Sequence, residues 1–282
     1  MKYSMNMLYK TIGISKQAVH QAANRQKNFD GQIHQLCLEA DQLRDAHPGC
    51  GVEKMHQVLK PDFIGRDRFV DTMMGLGYRL KKKKNYRKTT IAAKKFYPNL
   101  IKGLKVDSPS TVWQSDITYI PIENKHYYAV FIIDVYTKKI VGYQVSDHMR
   151  ATANVKALEM ALKEHKAPLI HHSDRGSQYT YKQYIELLKQ ENCQISMSGS
   201  AQNNAYAERI NRTIKEEYLA YWKPKDFKSL IKYVKMAVNN YNNTRPHANI
   251  EKMNPVEFEK MWSKLTQQNR PEITIFNDEV II

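Results

Sequence analysis

The architecture of this chain follows from nine residues, His171-His172-Ser173-Asp174-Arg175-Gly176-Ser177-Gln178-Tyr179. The apolar run Pro168-Leu169-Ile170 before them predicts a short buried strand, and an apolar stripe over residues 181–191 predicts a helix after them. An acid at the end of a core strand is held rigidly while it faces a ligand, so Asp174 is a candidate metal-binding residue. The alternative is an aspartate that only caps the turn.

Charge is distributed unevenly along the 282 residues. The chain has 44 Lys+Arg and 28 Asp+Glu, a formal net charge of +16. Residues 1–110 carry +12 of this, and residues 111–282 carry +4. A basic front half indicates a polyanionic partner, most simply nucleic acid. The alternative is a merely soluble basic protein.

Hydropathy and cysteine content bear on the compartment. No apolar run reaches the roughly 18 residues that a transmembrane helix needs, and Met1 is not followed by a secretory signal. Three cysteines, Cys37, Cys50 and Cys193, do not make a disulfide framework. We therefore expect a cytoplasmic protein without a membrane partner.

The first 88 residues read as helical. Residues 1–30 resemble a helix-turn-helix segment, with a turn at Gly13 and Ser15 as an N-cap, although an ordinary helical hairpin fits equally well. Residues 31–88 contain three predicted helices, over 32–46, 52–59 and 66–74, which suggest a helix-turn-helix DNA-binding domain. The third helix is the predicted groove reader through Arg66 and Arg68. The alternative is a three-helix packing module.

A basic run closes this domain. Its cations are Lys81, Lys82, Lys83, Lys84, Arg87 and Lys88, with no acid nearby. Such a run should follow DNA phosphates and make binding salt-dependent; the alternative is a solvated charge run. Residues 89–109, with Pro98, Gly103 and Pro109, are the predicted linker.

Four residues in the helical half have metal-ligating side chains: His34, Cys37, His47 and Cys50. Together they could supply four zinc ligands. However, Cys37 falls on the apolar face of its predicted helix, and a repeated His-x2-Cys is not a common zinc spacing. We therefore expect no zinc at these residues.

From residue 110 the pattern predicts an α/β domain, residues 110–222, followed by C-terminal helices and a tail, residues 223–282. Three strands, over 112–120, 127–136 and 139–145, come first, and the short link Thr137-Lys138 makes the last two a hairpin. A helix (152–165), a strand (169–172), a helix (181–191), a strand (194–197) and a long helix (203–219) follow. The next predicted helix, 227–243, ends before Arg245-Pro246-His247.

Three acids stand out in this domain. Asp116 lies in the first strand among apolar and aromatic residues, Asp174 ends the fourth strand, and Glu208 lies early in the long helix. An ionised acid in apolar surroundings is costly unless it is paired or bound to metal. Hard oxygen ligands suit magnesium or manganese, and two such ions about 4 Å apart are used for phosphoryl transfer.

These acids belong to a series of motifs that resembles the catalytic core of the DDE transposase and retroviral integrase superfamily. The resemblance is closest to the OrfB product of bacterial elements of the insertion-sequence-three family. The motifs are Trp113-x2-Asp116-Ile117-Thr118-Tyr119, His172-Ser173-Asp174-Arg175-Gly176-Ser177-Gln178-Tyr179, Ser196-Met197-Ser198, Asn204-Ala205-x2-Glu208, Lys215-x-Glu217, Tyr241-Asn242-x2-Arg245-Pro246-His247 and Pro255.

The resemblance implies a ribonuclease-H-like catalytic core, a mixed five-stranded sheet with flanking helices, behind one or two small all-α domains. It implies a DNA transposase whose Asp116, Asp174 and Glu208 bind two Mg2+ or Mn2+ ions. This site would cut a strand at a terminal inverted repeat and transfer the 3′-hydroxyl to target DNA, without a covalent protein–DNA intermediate. The alternatives are a metal-dependent nuclease that never joins strands and a non-catalytic DNA-binding repressor.

The resemblance also implies partners. An upstream-frame OrfA product, joined by frameshifting, would supply end recognition, and the protein would act as a homo-oligomer on DNA near the nucleoid. Two departures from the family pattern bear on activity. Only 33 residues separate Asp174 from Glu208, two fewer than usual, and Asn203 stands where the family has Asp.

The remaining residues have smaller predicted roles. Arg212 and Lys215 follow Glu208 by four and seven residues, so they share its helical face and are candidate DNA-binding cations; the alternative is a solvated face. Asp134 is predicted to be structurally paired rather than a ligand. Trp113 and Tyr241 are predicted to pack in the core. Gln178 and Tyr179 are candidates to line the site, and the alternative for Tyr179 is a packing role.

Overall fold

A computed structural model describes residues 5–80, 97–198 and 204–275. The chain forms two compact units. The first contains Met1–Ala46 and Cys50–Leu80, and the second contains His47–Gly49 and Lys81–Ile282. The predicted boundaries at residues 30, 88, 109 and 222 are finer than this division and stay predictions.

The first unit is helical: α1 is Met5–Ile12, α2 is Lys16–Ala46, α3 is Val52–Leu59 and α4 is Arg66–Gly75. The turn between α1 and α2 was expected at Gly13, which adopts φ +73° there. Ser15 accepts a hydrogen bond at Oγ from the amide of Ala18 (3.1 Å), so the predicted N-cap is confirmed.

The helix predicted over residues 32–46 is the second half of one 31-residue helix, α2. Prediction of a separate start near residue 31 was wrong because Gly31 does not interrupt the helix. A single interior glycine costs only about 1 kcal/mol relative to alanine, which the turns on both sides can offset.

A hydrophobic cluster joins the end of α2 to α3 and α4. Leu36, Ala40, Met55, Phe69 and Met73 are buried in it. The three-helix arrangement expected for residues 31–88 is therefore present, while its contact with DNA remains a prediction.

The second unit is built on a mixed five-stranded sheet, which confirms the predicted α/β core. Its strands are β2 (Val112–Ile122), β3 (Lys125–Asp134), β4 (Ile140–Ser146), β5 (Ile170–Ser173) and β6 (Gln194–Met197), in the order β4-β3-β2-β5-β6. The first three run antiparallel, and β5 and β6 run parallel to β2. A separate two-stranded sheet pairs β1 (Lys105–Val106) with β7 (Ile273–Thr274).

The predicted hairpin of β3 and β4 is confirmed, but its link is longer than predicted. Two residues, Glu123 and Asn124, connect β2 to β3, whereas β3 ends at Asp134 and β4 begins only at Ile140. The predicted two-residue link Thr137-Lys138 is therefore wrong. The strand stops early because the Asp134 carboxylate accepts hydrogen bonds from the amide (2.8 Å) and hydroxyl (3.0 Å) of Thr137, which turns the chain.

Six helices of the second unit are α5 (Ala151–Glu164), α6 (Lys182–Gln190), α7 (Ala205–Thr213), α8 (Ala220–Trp222), α9 (Phe227–Asn243) and α10 (Pro255–Trp262). The predicted helix 203–219 differs from the observed one, because a π-helical segment, Ile214–Leu219, connects α7 to α8. It moves Tyr218 and Leu219 into the core after Ile210 and Ile214.

Hydrophobic clusters cover both faces of the sheet. Residues of α7, the π segment and α9 pack on one face, and residues of α5 and α6 pack on the other. Trp113 and Tyr241 are buried, which confirms that they belong to the core. None of the helices within the described ranges is both long and apolar enough to cross a membrane.

Candidate active site

Asp116 and Asp174 lie on neighbouring parallel strands. Ser115 of β2 is paired with Ser173 of β5, so Asp116 and Asp174 each follow a paired residue at the same level of the sheet. Glu208 lies in the first turn of α7, and α7 packs on this sheet. Three elements far apart in the sequence thus bring these acids into one neighbourhood.

The charges of the three acids influence one another. Burial raises the pKa of Asp116 to about 7, and the negative charges of Asp174 and Glu208 contribute to this shift. Burial likewise raises the pKa of Asp174. Burial raises the pKa of Glu208, which Arg212 opposes and Asp174 reinforces. The site therefore concentrates negative charge where solvent screening is weak, and a cation would relieve it.

Hydrogen bonds orient the two strand-borne carboxylates. Asp116 accepts at Oδ1 from the amide of Ile117 (2.9 Å) and at Oδ2 from the Asn211 side-chain amide (2.8 Å). Asp174 accepts at Oδ1 from the amide of Gly176 (2.9 Å). Glu208 is exposed, so its side chain can rotate without displacing core residues.

The side chains do not form a closed metal cage as they stand. Over residues 5–80, 97–198 and 204–275, no three His, Cys, Asp or Glu side chains are arranged to hold a metal ion. Of the four residues considered and set aside as zinc ligands, Cys37 is partly exposed, and Cys50 is buried and donates to the carbonyl oxygen of Gly51 (3.7 Å). The candidate site needs a rotation of side chains, Glu208 above all, to bind an ion.

Comparison with known proteins gives the family. One integrase core domain model matches residues 106–202, and a second matches residues 189–255. The transposase for insertion sequence element IS904 of Lactococcus lactis is 36% identical over 200 residues, which cover 67% of this chain and 77% of that protein. The chain belongs to the DDE transposase and integrase superfamily.

One solved structure agrees with this fold. A chain of the simian T-cell lymphotropic virus intasome, solved in complex with PP2A regulatory subunit B56 gamma, is 15% identical, has a TM-score of 0.50, and is matched over 79% of this chain and 78% of its own length. The HTLV-2 integrase catalytic core, solved in complex with magnesium, is 16% identical with a TM-score of 0.45 over 57% of this chain and 99% of its own.

The two candidate DNA-binding cations after Glu208 differ in exposure. Arg212 is exposed near the end of α7. Burial raises the pKa of Glu208, and the charge of Arg212 opposes that shift. Lys215 lies in the π segment and is half-buried, with Nζ 5.7 Å from the centre of the Tyr119 ring. Burial lowers the pKa of Lys215, and the charge of Asp116 opposes that shift. Both cations therefore face the acids.

The predicted DNA-binding residues before residue 110 lie partly inside and partly outside the described ranges. Arg66 and Arg68 are exposed on α4. Arg66 lies 3.8 Å from Glu53, and the guanidinium of Arg68 lies 4.3 Å from the centre of the Phe29 ring. The other predicted cations, Lys81, Lys82, Lys83, Lys84, Arg87 and Lys88, lie outside the described residues, as does the shortened loop at 199–202.

Two side chains near the site have structural contacts. Tyr179 is buried with its hydroxyl 3.1 Å from Ser115 Oγ, which confirms a packing role, and Gln178 donates to the carbonyl oxygen of Met149 (3.2 Å). Asp134 accepts from Ser110 and Thr137, which confirms the predicted structural pairing.

Sequence reasoning missed an ion pair that anchors the π segment. Arg245 donates through Nε and Nη2 to the two carboxylate oxygens of Glu217, both at 2.8 Å. It was expected only to end helix 227–243. Both residues stood in recognised motifs, but only their proximity in the fold reveals the pair.

Proposed function

We propose that this protein is a DNA transposase that cuts one strand at the end of an insertion sequence and joins the resulting 3′-hydroxyl to target DNA. The observation that carries the proposal is the placement of Asp116 and Asp174 at one level of two neighbouring parallel strands, with Glu208 in the first turn of the helix that packs on this sheet. The pKa of Asp116, which burial raises and to which the charges of Asp174 and Glu208 contribute, supports this reading. Three carboxylates held together against their own repulsion are suited to a divalent cation.

The proposed cofactor is Mg2+ or Mn2+, with two ions bound by Asp116, Asp174 and Glu208. The donor set fits, because all of its ligating atoms are carboxylate oxygens and the pKa of Asp116 stays raised despite the donors around it. When bound, such ions polarise the scissile phosphate and lower the pKa of the attacking hydroxyl.

Neighbouring residues would hold the carboxylates in their ligating orientation. Asn211 and the Ile117 amide each donate to one oxygen of Asp116, which leaves the remaining lone pairs for ligation. The Gly176 amide does the same for Asp174. Arg212 and Lys215 would then contact backbone phosphates of the DNA end beside the acids.

The proposed DNA contacts of residues 31–88 are in part independent of DNA sequence. Exposed Arg66 and Arg68 would contact DNA from α4, and the basic run from Lys81 to Lys88 would follow phosphates. Assembly as a homo-oligomer on DNA and joining to an upstream-frame OrfA product are further proposals from the family pattern.

A strand-transfer assay tests the function. Purified full-length protein, alone and as an OrfA fusion, is incubated with Mg2+ and a pre-cut terminal-repeat duplex that ends in a 3′-hydroxyl, with plasmid as target. We expect joined products from the wild type and none from Asp116→Asn, the matched control that keeps the side-chain shape.

Other outcomes would replace the proposal. Hydrolysis of uncut DNA without any joining of the pre-cut end would identify a nuclease. Unchanged transposition in cells carrying Asp116→Ala, together with loss of the effect on deletion of residues 1–88, would identify a repressor.

A further inference from the structure

The start of α7, the helix that carries Glu208, is capped by a strand residue rather than by its own N-cap residue. Asn204 precedes the helix, but its side chain makes no capping hydrogen bond. Instead, Gln114 of β2 accepts at Oε1 from the amides of Tyr206 (3.2 Å) and Ala207 (3.4 Å). These are the second and third helical amides, which an N-cap side chain ordinarily satisfies.

The side chain of Asn204 crosses in the opposite direction. Its Nδ2 donates to the carbonyl oxygen of Ser115 (3.0 Å), the residue after Gln114. Both Gln114 and Asn204 are almost fully buried. At this crossing, a side chain of the strand bonds the helix backbone and a side chain at the start of the helix bonds the strand backbone.

This crossing lies between the proposed metal ligands. Asp116 follows Gln114 by two residues on the same face of β2, and Glu208 follows Asn204 by one helical turn. On the other side of Glu208, Asn211 donates to Asp116. The turn of helix that carries Glu208 is therefore held to the strand of Asp116 at both ends.

The two buried side-chain amides each use only one of their two polar atoms. Nε2 of Gln114 and Oδ1 of Asn204 have no hydrogen-bond partner within the described part of the chain, and each such atom is costly to bury. The satisfied atoms, Oε1 of Gln114 and Nδ2 of Asn204, both bond backbone groups of the opposing element. The hydrogen bonds that these two residues do make therefore all join the helix to the strand.

We propose that Gln114 and Asn204 are positioning residues that set the register of α7 against β2, and so the distance of Glu208 from Asp116. With this register set by side chains, the length of the loop before α7 does not determine the placement of Glu208. The two-residue shortening between Asp174 and Glu208 is then compatible with a working site. This inference rests on the proposed metal-binding function of the three acids.

Amide hydrogen exchange tests the contact itself, independently of activity. In Gln114→Leu, which preserves size and burial, the amides of Tyr206 and Ala207 should exchange at least about tenfold faster than in wild type, because their acceptor is gone. The control is Leu230→Ala. It removes a buried side chain from the hydrophobic cluster in which α7 packs, but Leu230 makes none of the hydrogen bonds of Gln114 or Asn204. It should leave the ratio of these two rates to those of the β3 amides unchanged.

Binding of Mn2+ to the full-length protein, followed by electron paramagnetic resonance, tests the positioning role. Removal of residues that orient metal ligands typically weakens metal binding about 10–100-fold. We expect a loss of about tenfold in both Gln114→Leu and Asn204→Ala, and no loss in Leu230→Ala. Asp116→Asn should abolish binding at this site.

The inference is overturned if Gln114→Leu and Asn204→Ala bind Mn2+ as wild type does, or if Leu230→Ala weakens binding equally. It is also overturned if Asp116→Asn binds Mn2+ normally, because the site would then lie elsewhere. If the two variants weaken Mn2+ binding while the wild type joins no strands, the positioning role stands and the proposed strand transfer fails.

Discussion

Asp116 and Asp134 are acids on neighbouring strands of one sheet, yet their surroundings differ. Asp134 is fully buried and accepts hydrogen bonds from the Ser110 amide (2.6 Å) and from both the amide and hydroxyl of Thr137. Asp116 accepts two hydrogen bonds, and burial, together with the charges of two further carboxylates, raises its pKa. Hydrogen-bond donors therefore satisfy the carboxylate of Asp134, whereas the neighbouring negative charges make the carboxylate of Asp116 suited to bind a cation.

The lysines beside these acids differ in the same way. Lys138, near Asp134, donates to the carbonyl oxygen of Val135 and lies 4.3 Å from the centre of the Tyr206 ring, and burial lowers its pKa to about 8. Lys215, near Asp116, is only half-buried. Lys138 is thus part of the packing, while Lys215 remains accessible to a ligand. Residue type does not separate a structural acid from a functional one; its partners do.

The largest expected difference is catalytic. Asp116→Asn should reduce strand transfer about a thousandfold or more, because an amide is a poor metal ligand and carries no charge. Asp134→Asn should retain activity per folded molecule within about tenfold, since Asp134 meets no reacting group. Single-turnover strand-transfer rates, corrected for the folded fraction, measure both. Equal losses in the two variants would contradict the distinction between the acids.

Stability should show the reverse order. Asp134→Ala removes the acceptor of three buried donors, so we expect it to lower the free energy of unfolding by about 3 kcal/mol. Asp116→Ala removes a repelled charge and should cost less than about 1 kcal/mol in metal-free buffer. Urea denaturation in EDTA gives both values. A loss at Asp116 as large as that at Asp134 would show that Asp116 is also structurally required.

The pH dependence of stability should sharpen the same contrast. The pKa of Asp116 is raised to about 7 in the folded state, from about 3.9 in an unfolded chain. Between these values the folded state holds a proton that the unfolded chain releases, so stability falls as pH rises through this window. Asp116→Asn cannot titrate, and its free energy of unfolding should therefore gain on wild type by on the order of 4 kcal/mol between about pH 4 and pH 8.

Urea denaturation in EDTA across this pH range measures that gain. The new side-chain amide of Asp116→Asn can donate to Oδ1 of Asn211, which is buried and has no partner within the described ranges. A difference between the two proteins that stays constant with pH would mean that Asp116 is already ionised at low pH, and that the site repels less charge than proposed.

The smallest expected effect concerns the two lysines. Lys215→Ala should weaken binding to a terminal-repeat duplex about fivefold and reduce the salt-dependence slope by about one, because one phosphate contact is lost. Lys138→Ala should leave that slope unchanged. Fluorescence anisotropy over a salt series compares them. An equal slope for Lys215→Ala and wild type would exclude a phosphate contact at Lys215.

Several features of the fold could be predicted locally. β-Branched and aromatic residues predicted β2, and the helix predicted over residues 227–243 matches α9 at both ends. The link of the β3–β4 hairpin is longer than predicted because Asp134 uses its side chain to end β3, which a strand pattern does not record. The π segment was missed because Glu217 reaches Arg245, 28 residues away.

The residues of the candidate site also fall into two groups, those that the sequence identified and those that only the fold revealed. Spaced motifs singled out Asp116, Asp174 and Glu208, whereas Gln114, Asn204 and Asn211 acquire their roles from contacts that span about 90 residues of sequence. No periodic pattern predicts such contacts, because two strands and a helix must first pack before the amides meet their partners.

By itself, the sequence determined the family, the order of strands and helices, the three acids and the basic character of the front half. These depend on residue type and spacing, which are properties of the linear chain. Only the tertiary structure decided that hydrogen bonds satisfy Asp134 while burial and like charges raise the pKa of Asp116, and how α7 is held against β2. A pKa and a buried hydrogen bond depend on the surroundings that distant residues create, and those exist only in the folded chain.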